Sequence, residues 1–162
     1  MYSKQYEKLS KPFRKYKSVL IFMNKLLTLI GYASYPILLI CTWFIKKELV
    51  IPMVLIPGSG FILLTFVRKA INRKRPYETY NIDSIIKKDT KGNSMPSRHV
   101  FSMSVIAVSW FVVSPIVGSI LFIFSTLLAY IRVIGGVHYI SDVIVAIICA
   151  CIWGLLFIFV PF

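Results

Sequence analysis

The chain has 162 residues, of which 57% are apolar and 15% are charged, and its mean hydropathy is +0.77. About a quarter of the residues in a soluble domain are charged, so this composition excludes an ordinary soluble protein and predicts a membrane protein. Nineteen Lys and Arg against six Asp and Glu give a net charge of +13, and because these cations lie before and between apolar runs, they indicate lipid headgroups or phosphates, and no nucleic acid, as partners.

Residues 1–26 form a predicted amphipathic segment ahead of the first long apolar run. Aromatic and aliphatic side chains recur there at alternating steps of four and three, at Tyr2, Tyr6, Leu9, Phe13, Tyr16, Leu20 and Met23. Lysine and arginine occupy other positions, so the pattern predicts a helix that lies in the bilayer interface. Pro12 is expected to break or start this helix, and a frayed basic tail is the alternative.

The remainder, residues 27–162, is predicted to be one membrane-embedded domain. About five spanning helices are placed at 27–45, 49–68, 96–114, 115–131 and 139–160, because about 20 apolar residues cross a bilayer. Lys46, Lys47 and Glu48 form the first turn, and Pro115 is tolerated where one helix ends and the next begins. The expected fold is therefore an all-α, polytopic transmembrane helix bundle with an amphipathic N-terminal helix at its surface.

Counting helices places several ionisable side chains at one membrane face. They are Arg68, Arg98, His99, Arg132, His138 and Asp142. Ionisable groups at membrane depth are costly and usually functional, so their convergence predicts a site. The alternative, that Arg132 and Asp142 only pair with each other or reach for the surface, is weakened by the number of groups that converge.

Two stretches carry patterns that suit an anion. Arg68 and Arg75 are seven residues apart, so a helix that continues between them would direct both guanidinium groups to one spot. Pro96 and Ser97 mark the first turn of a helix, where free N–H groups and the helix dipole favour an anion. A plain helix cap would explain these last two residues alone.

A third stretch runs from Arg132 through a glycine pair to His138 and Asp142. The two last residues are four apart and share a helix face, so the carboxylate orients the imidazole and leaves its other nitrogen free as nucleophile or base. Arginines outnumber acids at this site, which fits a bound phosphate and provides too few ligands for a metal. The residues predict phosphoryl transfer through a phosphohistidine, with neither metal nor cofactor.

These stretches resemble the three signature motifs of the type 2 phosphatidic acid phosphatase superfamily. In this chain they are Arg68-x6-Arg75-Pro76, Pro96-Ser97-Arg98-His99 and Arg132-x5-His138-x3-Asp142. The resemblance covers the chain from about Leu49 to its C-terminus. It implies a small bacterial membrane-embedded lipid phosphatase.

The resemblance implies a role for each motif residue. His138 would attack phosphorus to form a phosphohistidine, Asp142 would orient it, and His99 would protonate the leaving group and then help to activate the hydrolytic water. The phosphate oxygens would be held by Arg68, Arg75, Ser97, the backbone N–H of Arg98, and Arg132.

Three positions depart from the family pattern. The family usually has lysine where Arg68 stands, so either Arg68 or the adjacent Lys69 is the phosphate ligand. It usually has glycine where Arg98 stands, and this side chain is expected to narrow or recharge the pocket. Ile131 replaces a usual serine, with little expected effect on the chemistry. Family members commonly have six spans, so the N-terminal helix is expected to replace one.

A site at the membrane face suits an amphiphile whose phosphate reaches the site while its tail stays in lipid. By resemblance, the candidate substrates are undecaprenyl diphosphate, phosphatidic acid and phosphatidylglycerol phosphate, and the polyprenyl diphosphate is ranked first. The protein is expected in the bacterial cytoplasmic membrane as a multi-pass protein. Bacterial relatives usually face outward, so the site is placed at the extracytoplasmic face, although the positive-inside rule favours the cytoplasmic side.

Two other functions are compatible with parts of the pattern. A non-enzymatic membrane protein that binds anionic lipid headgroups would need the arginines but not the paired His138 and Asp142. A metal-dependent phosphotransferase is disfavoured by the scarcity of acids, and a chelator would stop its reaction.

Overall fold

The computed structural model of the protein describes residues 2–159, and its regular elements are helical. In chain order the α-helices are α1 (Tyr2–Arg14), α2 (Lys17–Ile45), α3 (Val50–Ile71), α4 (Pro76–Thr79), α5 (Arg98–Val113), α6 (Pro115–Ile134) and α7 (Ile140–Gly154). Short 3-10 helices at Lys47–Leu49 and Leu155–Phe159 precede α3 and follow α7. The all-α prediction is confirmed within this range. Residues 160–162, the predicted end of the fifth span and of the domain, lie outside the described residues.

Four segments within residues 2–159 are long and apolar enough to cross a membrane. They are Lys17–Ile45, Lys47–Thr79, Pro115–Ile134 and Ile140–Phe159, which correspond to the first, second, fourth and fifth predicted spans. The third predicted span corresponds to α5, which has only 16 residues. At 1.5 Å per residue that helix is about 24 Å long, shorter than the ~30 Å hydrocarbon core of a bilayer.

α5 is short because the chain leaves the helical conformation on both sides of it. Ser114 is extended (φ −148°, ψ 104°), and Pro115 then starts α6 in its first turn, where its missing N–H costs nothing. Ten of the 16 residues of α5 are buried, and the helix packs against α2, α3, α6 and α7. Its neighbours therefore shield it from lipid, which relaxes the length that a lipid-exposed helix must have.

Three of the other helices, α2, α3 and α6, extend past the boundaries that charge placement predicts. α2 begins at Lys17 rather than at residue 27, α3 continues to Ile71 and α6 to Ile134. A charged residue ends an apolar run without ending the hydrogen-bond pattern of a helix, so the helices continue beyond it. As a result Arg68 and Arg132 lie within the last turns of α3 and α6.

α1 packs against α2 and α6. Tyr6 is buried, whereas Lys4 and Lys8 are exposed, as the amphipathic pattern predicts. The expectation that Pro12 breaks or starts the helix is wrong, because Pro12 lies inside α1 and the chain turns after Arg14. A proline in the last turn of an exposed helix loses one backbone hydrogen bond without ending the helix.

Two contacts join α1 to the rest of the molecule near the turn between α6 and α7. Arg14 Nη1 forms a 2.8 Å ion pair with Asp83 Oδ2 in the long loop that precedes α5. Tyr6 covers Gly136, which has a φ of +76°, and a Cβ atom built on that glycine would lie 2.8 Å from the Tyr6 hydroxyl. α1 and the long loop therefore enclose the turn that leads to His138.

Candidate active site

The three motif stretches meet at one rim of the helix bundle. The backbone N–H of Ser97 donates to the carbonyl oxygen of Asp142 at 2.9 Å, which joins the start of α5 to the first turn of α7. An Arg68 guanidinium nitrogen donates to the carbonyl oxygen of Pro96, which joins the end of α3 to the start of α5. The second motif is thus hydrogen-bonded to both of the others.

Arg68 is buried in the last turn of α3, whereas the neighbouring Lys69 is exposed. Both terminal nitrogens of Arg68 donate to backbone carbonyls, one to Pro96 and one to Asn93. Of the two candidates for the first-motif cation, Arg68 is therefore the one that lies in the site. Its terminal nitrogens hold the segment that leads into α5.

Arg75 reaches the site by a different route from the predicted one. α3 ends at Ile71, because Asn72 adopts a left-handed conformation with a φ of 39°. The prediction that a continuous helix aligns the two arginines is therefore wrong. Arg75 is instead the residue before α4, and it is buried. Its Nε donates to the carbonyl oxygen of Gly92 at 3.1 Å, and its Nη1 donates to that of Val137 at 3.4 Å.

Arg132 is only 1% exposed. Its Nη1 donates to Asn24 Oδ1 of α2 at 3.2 Å, whereas its Nε and Nη2 have no hydrogen-bond partner among the described residues. The buried hydroxyl of Ser97 likewise has no partner within residues 2–159. Buried donors without partners are costly and call for an explanation. Two of these three donors belong to the positively charged Arg132, so the set suits an anionic ligand such as phosphate.

His138 and Asp142 are both almost completely buried. His138 Nδ1 lies 3.4 Å from Asp142 Oδ2 and 3.4 Å from the Ser94 hydroxyl. Burial lowers the pKa of His138 well below its usual value; the charges of Arg132 and Arg75 act in the same direction, and the hydrogen bond to Asp142 opposes them. The imidazole is therefore neutral near pH 7.

The two remaining motif residues differ in where their side chains lie. His99 is partly buried at the start of α5 and lines a small cavity with Thr28 and Tyr32 of α2. Arg98 is exposed, and its guanidinium lies 5.7 Å from the ring centre of Phe61 in α3. The Arg98 side chain is thus not enclosed with the other three arginines, although its backbone N–H remains in the first turn of α5.

Three residues of the site were not singled out by the sequence analysis. Asn24 accepts from Arg132, Ser94 donates to the Asp142 carboxylate, and Arg73 Nη1 lies 2.8 Å from Asp142 Oδ1. Asn24 has no distinguishing signal, because it is one of several polar residues of α2 and is followed directly by Lys25. Arg73 has no distinguishing signal, because it is one of four basic residues between Arg68 and Pro76.

Lys88 of the long loop adds a further cation near this cluster. Burial, and after it the positive charges of Arg132, Arg75, Arg98 and Arg68, together lower its pKa from 10.5 to about 8. The amine is therefore largely protonated at neutral pH and loses its charge as the pH rises through about 8. Lys88 makes the attraction of an anion to the site dependent on pH in this range.

Comparisons with known proteins place the chain among membrane phosphatases. The sequence profile of the PAP2 superfamily matches residues 48–162. The fold is similar to that of Aquifex aeolicus LpxE, with a TM-score of 0.73 and 22% sequence identity over 94% of this chain and 92% of that chain. It is also similar to a transmembrane PAP2-type phosphatidylglycerolphosphate phosphatase from Bacillus subtilis, with a TM-score of 0.71 and 20% identity over 96% of this chain and 83% of that chain. A search among curated proteins found no match.

Replacing Lys88 by arginine is expected to remove a pH dependence of anion binding. We predict that the wild-type affinity for inorganic phosphate falls about three- to fivefold relative to Lys88→Arg between pH 7 and 9.5, a modest effect because the amine is only partly buried. The measurement is the inhibition constant of phosphate at both pH values. Both proteins meet the same phosphate ions, so their ratio isolates the lysine. Lys91→Arg, at an exposed position of the same loop, is the control, and a ratio that does not change with pH would contradict the prediction.

Proposed function

The chain belongs to the PAP2 superfamily and is a multi-pass membrane lipid phosphatase, a phosphoric monoester hydrolase, and on that premise we propose that it acts on a lipid phosphate or diphosphate through a phosphohistidine on His138. The observation that carries this proposal is the set of buried donors on Arg132 and Ser97 that find no hydrogen-bond partner between residues 2 and 159, beside the His138–Asp142 pair. The donors suit the phosphate oxygens, and the neutral imidazole suits the attack on phosphorus.

The proposed reaction has two steps. His138 Nε2 attacks the terminal phosphorus, the bond from that phosphorus to the leaving oxygen breaks, and His99 gives its proton to that oxygen. The leaving group is the lipid alcohol when the substrate is a monophosphate and the lipid monophosphate when it is a diphosphate. His99 then accepts a proton from water, whose oxygen attacks phosphorus and releases phosphate from His138. Asp142 stabilises the positive imidazole of the intermediate through Nδ1. Arg68, Arg75, Arg132, Ser97 and the backbone N–H of Arg98 hold the phosphate oxygens.

The arginines supply the charge that a metal ion supplies in other phosphatases. The developing charge of the transition state lies on the phosphate oxygens, and Arg75 and Arg132 are buried, where their attraction to it is strong. We therefore propose a metal-independent reaction. The non-enzymatic alternative, a headgroup-binding protein, gives no reason for the buried His138–Asp142 pair, and it disagrees with membership of a phosphatase family.

An apolar groove beside the site supports a lipid substrate. It has a volume of about 230 Å³ and lies between α2, α3 and α5; its lining residues are Tyr32, Tyr35, Pro57, Gly58, Phe61, Ser102, Val105 and Ile106. Ser102 follows His99 by one turn of α5, so the groove begins close to the phosphate site. A hydrocarbon tail in this groove would leave its phosphate at the rim.

Among lipid substrates, we rank undecaprenyl diphosphate first. Lys88 adds a cation next to the arginine cluster, and a diphosphate has a second charged group for it to attract. Phosphatidic acid is an alternative. Phosphatidylglycerol phosphate is another, and the name of the Bacillus subtilis protein supports it.

We further propose that α5 is a fifth, protein-enclosed span of the domain at residues 27–162 and that α1 lies in the membrane interface. The contact between Tyr6 and Gly136 supports a position of α1 on the same side of the membrane as the motif residues. By the resemblance to bacterial relatives, we place that side at the extracytoplasmic face. The lysines of α1 then lie outside, against the positive-inside rule, which makes the orientation a direct subject for experiment.

Replacing His138 separates the enzyme from the headgroup binder. His138→Gln is expected to lower phosphate release at least about a thousandfold, because the nucleophile is lost, while binding to vesicles that contain the lipid phosphate is kept. Wild-type turnover should resist EDTA and be inhibited by vanadate. Lys69→Gln, at an exposed position beside the site, is the control. Turnover by His138→Gln or loss of activity in EDTA would overturn the mechanism.

A panel of substrates tests the ranking. Phosphate release from undecaprenyl diphosphate, phosphatidic acid and phosphatidylglycerol phosphate is measured in the same detergent, and we expect the highest kcat/KM for the diphosphate. Lys88→Met should reduce kcat/KM for the diphosphate more than for the two monophosphates. A preference of the wild type for either monophosphate would reject the ranking and leave the phosphohistidine mechanism intact.

Labelling in whole cells tests the orientation. Cysteine is introduced in the exposed loop as Lys91→Cys, in a chain whose native cysteines Cys41, Cys149 and Cys151 are replaced by alanine. A membrane-impermeant maleimide is expected to label this variant in intact cells. Labelling only after lysis would place the site in the cytoplasm.

A further inference from the structure

Arg73 is held against the first turn of α7, although it lies in the segment between α3 and α4. Its Nη1 forms a 2.8 Å ion pair with Asp142 Oδ1 and lies 2.8 Å from the Ser141 hydroxyl. Its guanidinium carbon lies 4.0 Å from the ring centre of Tyr139. These three contacts, an ion pair, a hydrogen bond and a stacked ring, hold the partly exposed side chain in one place.

The two oxygens of the Asp142 carboxylate face partners of different character. Oδ1 faces Arg73, whose charge is permanent. Oδ2 faces His138 Nδ1, the hydroxyl of Ser94 and the backbone N–H of Tyr139, which donates at 3.0 Å. The carboxylate itself has no exposed surface, so its negative charge must be balanced by these partners rather than by water.

We propose that Arg73 is a positioning residue that neutralises the buried Asp142 carboxylate and so keeps His138 unprotonated and ready to attack phosphorus. This inference rests on the proposed role of His138 as the nucleophile. Arg73 contacts Asp142 and is not one of the proposed phosphate ligands, so it acts through the carboxylate. Its position within the first motif gives it a role distinct from that of the phosphate-binding arginines.

The loss of Arg73 leaves the Asp142 carboxylate without its permanently charged partner. Without Arg73, the group next to Asp142 that can become a cation is His138, by taking a second proton on Nε2. That proton occupies the lone pair that the attack on phosphorus requires. An opposite charge within about 4–6 Å typically shifts the pKa of a carboxyl by about one to three units, and Arg73 lies 2.8 Å from Asp142, so without it the carboxylate favours a protonated His138 more strongly.

Other charged groups face the His138–Asp142 pair from the surrounding elements. Arg132 of α6 and Arg75 ahead of α4 oppose the protonation of His138, and Arg68 of α3 interacts with Asp142. His99 of α5 and His138 are electrostatically coupled. Only Asp142 favours a protonated imidazole among these groups, and Arg73 is its one direct arginine partner in the described part of the chain. Arg73 therefore limits the protonation of His138 that Asp142 would otherwise favour.

The test is the pH profile of kcat/KM for Arg73→Gln. Its acid limb is expected to move up by about one pH unit or more, with a rate that approaches the wild-type rate above the limb. Arg73→Lys keeps the charge and should restore most of the wild-type profile. Lys74→Gln, an exposed neighbour with the same change in net charge, is the matched control and should leave the profile unchanged. A uniform loss of rate at every pH, or an unmoved limb, would overturn the inference.

A second pair of variants covers the case in which Arg73→Gln does not fold. Tyr139→Leu removes the stacked ring and keeps the backbone N–H that donates to Asp142, so the limb should move up by less than one pH unit. Tyr139→Phe keeps the ring and should not move it; an unmoved limb in Tyr139→Leu would also overturn the inference. His138→Gln separates the proposed role of His138 from that of Arg73. Turnover by that variant rejects the nucleophile, whereas an inactive His138→Gln with an unmoved limb in Arg73→Gln rejects the role of Arg73 alone.

Discussion

The structure of the site depends on one buried carboxylate, whose negative charge must be balanced by neighbouring groups. Asp142 has no exposed surface, and its side chain is bound from three separate segments: Arg73 follows α3, Ser94 lies just before the second motif and α5, and His138 precedes α7. Its backbone carbonyl also accepts from Ser97. An isolated buried charge would cost several kcal/mol, so the segments that carry its partners are drawn to one point. The same requirement assembles the phosphate site, because the arginines lie on those segments.

The helix bundle provides the rigid frame for this arrangement. α5 is enclosed by four other helices. Ser97 and His99, at its N-terminal end, are therefore fixed relative to α2, α3, α6 and α7. Arg132 and Arg68 lie in the last turns of long helices rather than in loops. Functional groups on rigid elements keep their geometry better than groups on loops do. The exception is the segment 72–97, which is tied down by Arg68 and Arg75 through backbone carbonyls.

Helix counting predicts that the motif residues share a rim, and the three motif stretches do meet at one rim of the bundle. Helix counting is insufficient for detail that depends on single backbone angles. Asn72 ends α3 in a left-handed conformation, so no continuous helix connects Arg68 to Arg75 and helical periodicity does not align them. Asn24 and Arg73 acquire their roles only from tertiary contacts with Arg132 and Asp142. No local pattern distinguishes them from other polar residues near a membrane surface.

The packing of Tyr6 on Gly136 has a practical consequence for work with this enzyme. The glycine has a positive φ and no room for a Cβ atom beneath the tyrosine, so α1 forms a wall of the turn that presents His138. Kinetic constants of variants with substitutions at Tyr6 therefore describe a modified active-site turn, although none of the three motifs includes α1.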